Sequence, residues 1–170
     1  MGSSQDGIFI YDTGKGKLLS FKDVYGTTAQ PASAALEILD TRNGSFWIGS
    51  SEGLYAIETA TGKTTTVDLT DGNGVKIKPE IRKIIRDENG NAYIATFGSG
   101  LFFYDAAANS FTNYAYSDRW KRTLADNSIT YIAKGNNGVY WITTEDAGLV
   151  KLNTWFSRYY FTPVPAFNKD

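Results

Sequence analysis

Apolar and polar residues alternate along most of the chain in short runs, broken by Gly, Asn and Asp. A period of two is the mark of half-buried β-strands. Four runs fall into line when aligned on a leading Gly: Gly7-Ile-Phe-Ile-Tyr-Asp12, Gly53-Leu-Tyr-Ala-Ile-Glu58, Gly100-Leu-Phe-Phe-Tyr-Asp105 and Gly148-Leu-Val-Lys-Leu-Asn153. These glycines stand 46, 47 and 48 residues apart, and the fifth residue after each is Asp, Glu or Asn.

Three of the runs follow an aromatic strand, Phe46-Trp47-Ile48-Gly49, Ala92-Tyr93-Ile94-Ala95 and Tyr140-Trp141-Ile142-Thr143. Each aromatic strand follows an Asn-Gly pair (Asn43-Gly44, Asn89-Gly90, Asn137-Gly138), which suits the positive φ angles of a type I′ hairpin turn. Ahead of the turns lie Leu36-Glu-Ile-Leu-Asp40, Ile81-Arg-Lys-Ile-Ile-Arg-Asp87 and Ile129-Thr-Tyr-Ile-Ala133, and further strands are expected over 18–21, 64–69, 111–116 and 157–161. The segment Pro31-Ala-Ser-Ala-Ala-Leu-Glu-Ile-Leu39 has local helix propensity, but the repeat register assigns a strand to 36–40.

The unit is thus four short antiparallel strands, a to d, in about 47 residues, the pattern of an all-β propeller blade. Residues 7–23 supply the c and d strands of a half blade. Complete blades are expected over 34–70, 80–117 and 128–162, followed by a tail over 163–170. The propeller is incomplete, at about three and a half blades, where closure takes about four to eight. Because the series begins at c and ends at d, its two ends do not complete one shared blade. The natural protein is expected to continue at both ends.

Composition narrows the chemistry. Seventeen Lys and Arg against eighteen Asp and Glu leave no basic excess for a nucleic-acid backbone. No apolar run is long enough to cross a bilayer, and the opening residues carry no signal-peptide pattern. The chain has neither Cys nor His, which removes thiolate nucleophiles, disulfides, and the commonest general base and metal ligand. No catalytic residue, metal site or cofactor is assigned.

The recurring lines Ile-x-x-Ile-x-x-Asp, Asn-Gly-x-aromatic-Trp/Tyr-Ile, Gly-Leu-x-x-Tyr-Asp and aromatic-x-x-Tyr resemble the two-component regulator propeller repeat. The third blade matches best, through Ile81 to Asp87, Gly90-Asn-Ala-Tyr-Ile-Ala-Thr96, Gly100 to Asp105 and Phe111-Thr-Asn-Tyr114. The lead-in Leu124-Ala-Asp-Asn-Ser-Ile129 also looks like that family's linker between blades. The resemblance implies the periplasmic sensor region of a Bacteroides-type hybrid two-component histidine kinase, its parent anchored in the inner membrane and responsive to oligosaccharides. Kinase chemistry would lie outside this chain. The sequence departs from the pattern at Ala92, where a large residue is usual, and at Ala133-Lys-Gly135, where an Asp is usual.

Trp47, Tyr93 and Trp141 recur in register, so they are expected to fill the space between blades. The series Asp12, Glu58, Asp105 and Asn153 is expected to accept hydrogen bonds from the backbone of the following turns. Residues outside the repeat are better ligand candidates. Arg119, Lys121 and Arg122 around Trp120 form a basic cluster suited to an acidic sugar. Phe97, Glu145 and Asp146 are expected on the same face. Neighbouring carboxylates in a strand or turn point apart, which argues against a hydrolytic pair. Asp71-Gly-Asn-Gly74 resembles the start of a calcium loop without its closing Glu and reads as a connection.

The leading expectation is a non-catalytic, ligand-sensing propeller segment with an oligosaccharide as partner. A protein-interaction scaffold is the alternative, and a propeller lyase or glycoside hydrolase a third. The strand at Gly7 to Asp12, lacking its a–b half, is an open edge through which self-association, or pairing with the remaining blades, is expected. No nucleic-acid or membrane contact is expected of this segment.

Overall fold

The computed structural model describes residues 2–3, 7–26, 35–116, 124–154 and 160–164. Among these, the alternating runs form antiparallel sheets. A first sheet has three strands, β1 (Gly2–Ser3), β2 (Gly7–Asp12) and β3 (Lys17–Ser20), followed by a helix α1 (Phe21–Tyr25). The second sheet comprises β4 (Ala35–Asp40), β5 (Ser45–Ser50), β6 (Gly53–Glu58) and β7 (Thr64–Val67). A small hairpin, β8 (Leu69–Thr70) with β9 (Lys76–Ile77), leads to the third sheet, β10 (Glu80–Arg86), β11 (Ala92–Phe97), β12 (Leu101–Asp105) and β13 (Ser110–Tyr114). The fourth is β14 (Ile129–Lys134), β15 (Val139–Thr144), β16 (Leu149–Asn153) and β17 (Tyr160–Pro163).

Several local expectations are corrected. Strand β3 stops at Ser20, because Ser20 caps α1: its hydroxyl accepts from Asp23 N, and Asp23 accepts from Ser20 N. Gly26 closes the helix in the left-handed region. The strand expected over 64–69 divides at Asp68, and its last residue enters the extra hairpin. The open edge of β2 is partly covered, since Gly2 and Ser3 pair with Ile8 and Gly7. Segment 31–34 lies outside the described residues, while Ala35–Asp40 is a strand as the register required.

The Asn-Gly turns differ from one another. Only Asn137 and Gly138 both take positive φ, at 56° and 66°, and Val139 N donates to Asn136 O as in a type I′ turn. The first two loops are closed by the equivalent backbone bond but have positive φ at Gly44 and Gly90 and not at Asn43 or Asn89. There a side chain organises the loop. Thr41 donates its hydroxyl to Ser45 O, and Asp87 accepts from the N–H groups of Asn89 and Asn91. The third loop has Gly135 at that position and relies on the type I′ turn.

Two devices recur in every four-stranded sheet. The first strand of each carries a bulge, so that Leu36, Arg82 and Thr130 fall out of register with the neighbouring strand. At the far end of the second strand stand Ser50, Thr96 and Thr144, the buried polar residues among those described. Each hydroxyl donates to the carbonyl of the next strand's leading Gly, at 3.1 Å to Gly53, 2.6 Å to Gly100 and 3.2 Å to Gly148. A buried hydroxyl without a partner would be costly, so the hydroxyl and the turn specify each other.

Both faces of the second and third sheets are apolar, and consecutive sheets bury them against each other. Ile8, Phe21, Ile48 and Ile57 form the first interlayer core; Trp47, Leu54, Ile84, Ile94 and Phe102 form the second. Tyr93, Leu101, Ile132, Tyr140 and Ile142 belong to the third. Strand alternation directs Trp47 forward and Ile48 backward, so one strand serves two cores.

The connection into the fourth sheet is held by Asp126, whose carboxylate accepts from Ser128 N at 2.9 Å and Asp146 N at 3.0 Å. Burial acts to raise its pKa, but backbone donors from Ser128, Asp146, Glu145 and Asn127 together hold it below the ordinary carboxylate value. A depressed folded pKa contributes stability above the unfolded value of about 3.9, lost as pH falls through the folded one. Asp126→Asn should therefore flatten the acid limb of a urea-midpoint profile below about pH 4; an unchanged profile would contradict this. Gly100→Ala should destabilise more than Gly148→Ala in urea unfolding. Both residues have φ near +70° to +76°, costing an L-residue about 1–2 kcal/mol. Only at Gly100 would the new Cβ also lie 2.3 Å from Tyr114 O.

Candidate functional site

The turns joining second to third strands collect along one edge of the sheets. Phe97 ends β11 on that edge, directly opposite Glu80. It remains 38% exposed, and the guanidinium of Arg82 lies over its ring at 4.9 Å. Arg82 is the bulge residue of β10, and its Nε forms an ion pair with Glu80 Oε1 at 3.1 Å. Glu145 and Asp146 occupy the matching turn of the fourth sheet, exposed, with their backbone N–H groups bonded to Ser128 O and Asp126. Their carboxylates have no partner among the described residues. Phe97, Glu145 and Asp146 thus share an edge, with no bond between the ring and the acids. Arg119, Trp120, Lys121 and Arg122 lie outside the described residues.

Arg82 and Glu80 were missed in sequence because they read as ordinary polar positions of a strand. Their departure from the repeat was the available signal: Leu36 and Thr130 stand where Arg82 does.

One residue further along the first strands, Glu37, Lys83 and Tyr131 occupy equivalent positions in successive sheets. Lys83 Nζ donates to Glu37 Oε1 at 2.8 Å and stands 5.6 Å from the Tyr131 ring centre. This chain of contacts ties three sheets together along their first strands.

The opposite edge holds two clefts that repeat from sheet to sheet. One, about 570 Å³, is lined by Glu88, Lys134, Asn136 and Asn137, among others; the second, about 300 Å³, by Arg42, Trp47, Arg86 and Tyr104. Lys134 pairs with Glu88, and its hydrogen bond holds the Glu88 carboxyl below the usual range. Arg86 donates to Asp40 O at 3.2 Å.

The repeated aromatics divide. Trp47 packs on Tyr104 and Phe111 of the third sheet, with ring centres 4.8 and 5.7 Å away, and Tyr93 stacks 4.4 Å from Tyr140 of the fourth. Trp141 departs from the expectation. It is 38% exposed, because no described sheet covers the far face of the fourth, and Lys151 Nζ stands 5.9 Å from its ring. The acid series divides too. Asp12 and Asp105 accept from the backbone of their turns, whereas Glu58 accepts from the Thr61 hydroxyl. Asp71 also spends its carboxylate on backbone, accepting from Asn73 N and Val75 N. These bonds, that with Val75 foremost, hold its carboxyl below the usual range. No cluster of metal-ligating residues occurs among the described residues.

No protein-family model matches the chain, and no curated protein matches it. Solved structures do. The extracellular domain assigned to the hybrid two-component system BT3049 of B. thetaiotaomicron is similar over 98% of this chain and 20% of its own, with a TM-score of 0.69 and 23% identity. That of BT4673 from the same organism is similar over 88% of this chain and 19% of its own, with a TM-score of 0.63 and 20% identity. PorZ, a surface component of the type-IX secretion system of Porphyromonas gingivalis, matches over 81% of this chain and 20% of its own, with a TM-score of 0.57 and 21% identity. The chain spans about a fifth of the length of each. It shares the fold of part of the extracellular domains of B. thetaiotaomicron two-component sensors.

Proposed function

We propose that the chain is a non-catalytic, ligand-sensing segment of a β-propeller, a half blade and three complete blades, in a periplasmic two-component sensor. The carrying observation is the fold likeness to extracellular sensor domains over nearly the whole chain. The parent would be anchored in the inner membrane, and its sensor region would respond to oligosaccharides.

The burial pattern supports the propeller reading. Ile84 and Ile132 are 2% and 0% exposed, each covered by the preceding sheet, but their counterpart Ile38 is 40% exposed. Ile38 faces the first sheet, where the strands that would cover it correspond to an a–b half. Tyr11 and Leu18, paired on the outer face of the first sheet, are likewise exposed. These are the positions that further blades would bury.

The scaffold alternative draws support from the likeness to PorZ, a component of a secretion assembly, and from the same exposed faces. Binding data separate the two readings. Calorimetric titration of the complete propeller region with a panel of oligosaccharides should give saturable heat with at least one member, with no product released. Absence of binding across the panel would reject oligosaccharide sensing in favour of the scaffold; product release would restore an enzymatic reading.

A further inference from the structure

The repeat allows structural residues to be told from those it does not require. In the third sheet, three departures from the repeat meet at one point. Arg82 replaces the Leu36 and Thr130 of its neighbours, Phe97 replaces Ser51 and Glu145, and Glu80 stands where the fourth sheet has Ser128. The bulge frees Arg82 from the ladder and lets it fold back over Phe97. Glu80 takes the Nε edge of the guanidinium. The two terminal nitrogens have no partner among the described residues, and Arg82 and Phe97 both remain partly exposed.

An arginine held in this way is oriented before any ligand arrives. One edge is paired with a carboxylate and one face rests on an aromatic ring, which reduces the side-chain freedom to be lost on binding. Its outer edge presents two parallel N–H donors, the geometry that takes a carboxylate in bidentate fashion. The uncovered part of the Phe97 ring adjoins that fork and offers a flat apolar surface for the C–H face of a pyranose.

We infer that Arg82 and Phe97, oriented by Glu80, form a binding site for the carboxylate and ring of a uronic-acid residue in an oligosaccharide. This rests on the oligosaccharide-sensing reading and adds the class of sugar and the residues that select it. Arg82 and Phe97 are the contact residues; Glu80 is a positioning residue.

The test is titration of the 170-residue chain with trigalacturonate and, separately, with neutral maltotriose, followed through the Arg82 Nε–H resonance and by calorimetry. Trigalacturonate should shift that resonance and bind at least about tenfold more tightly than maltotriose, since charge-assisted bidentate bonds are the stronger kind. The variants Arg82→Thr and Phe97→Ser copy residues that sister sheets carry at these positions, so the fold should persist, as unchanged circular dichroism would verify. Arg82→Lys keeps the charge and removes the fork. Each of the three should weaken trigalacturonate by roughly tenfold or more. Glu80→Gln should weaken it less and alter the resonance of the free protein. No trigalacturonate binding, equal affinity for the neutral sugar, or undiminished binding by Arg82→Lys would overturn the inference. Maltotriose binding that leaves the Arg82 resonance unmoved would overturn this site while preserving the oligosaccharide-sensing reading.

Discussion

The whole arrangement depends on burial of both faces of a sheet by two different neighbours. In an ordinary two-layer protein a sheet has one apolar side and one wet side. Here alternation along β5 or β11 supplies apolar residues in both directions, with Trp47 and Ile48, or Tyr93 and Ile94, entering separate cores. Fully burying one such side chain contributes roughly 1.5–3 kcal/mol, so a sheet that lacks a neighbour forgoes a substantial share of its stability. Stability is therefore a property of adjacent pairs, as in other repeat architectures. The exposure of Tyr11 and Leu18 on the first sheet and of Trp141 on the fourth is the visible cost at the two outer sheets. The fourth sheet moderates that cost chemically: Thr143 and Lys151 stand on its far face where Ala95 and Phe103 stand in the third.

A second constraint operates at the edges. Four-stranded sheets stacked face to face leave their turns in rows, and each turn must satisfy its own backbone. The hydroxyls of Ser50, Thr96 and Thr144 do so on one edge. On the other, Thr59 and Thr154 each donate both N–H and hydroxyl to the carbonyl of the glycine in the neighbouring turn, Gly44 and Gly138. Because these bonds stay within a sheet, the turn edges can diverge without disturbing the interlayer cores. Ligand-facing variation has room there.

The strand pattern and the spacing of the repeat were legible because they follow from alternation, which acts on every residue of a strand. The strand at Ala35–Asp40 was recovered over its local helix propensity for the same reason. Helix α1 was missed although Ser20, Asp23 and Gly26 spell its caps, since five residues are too few to show a helical period. The hairpin of Leu69–Thr70 with Lys76–Ile77 was missed because two-residue strands carry no alternation at all. Among the site candidates, Phe97 was identified from its irregularity, but its partner Arg82 was not. Their contact depends on a bulge, whose mark in the sequence is the three-residue spacing of Ile81 and Ile84, which enter one core where strict alternation would space them by two.

That bulge has an evolutionary consequence. Leu36, Arg82 and Thr130 occupy one geometric position yet share no chemical property: one is aliphatic, one cationic and one a small alcohol. A residue outside the ladder is released from pairing, and from the demand that neighbouring positions match it. The repeat thereby contains, once per unit, a site at which substitution is nearly free of structural penalty. Duplication of such a unit multiplies positions open to drift and selection, while the rest of each copy stays under the constraint of its neighbours.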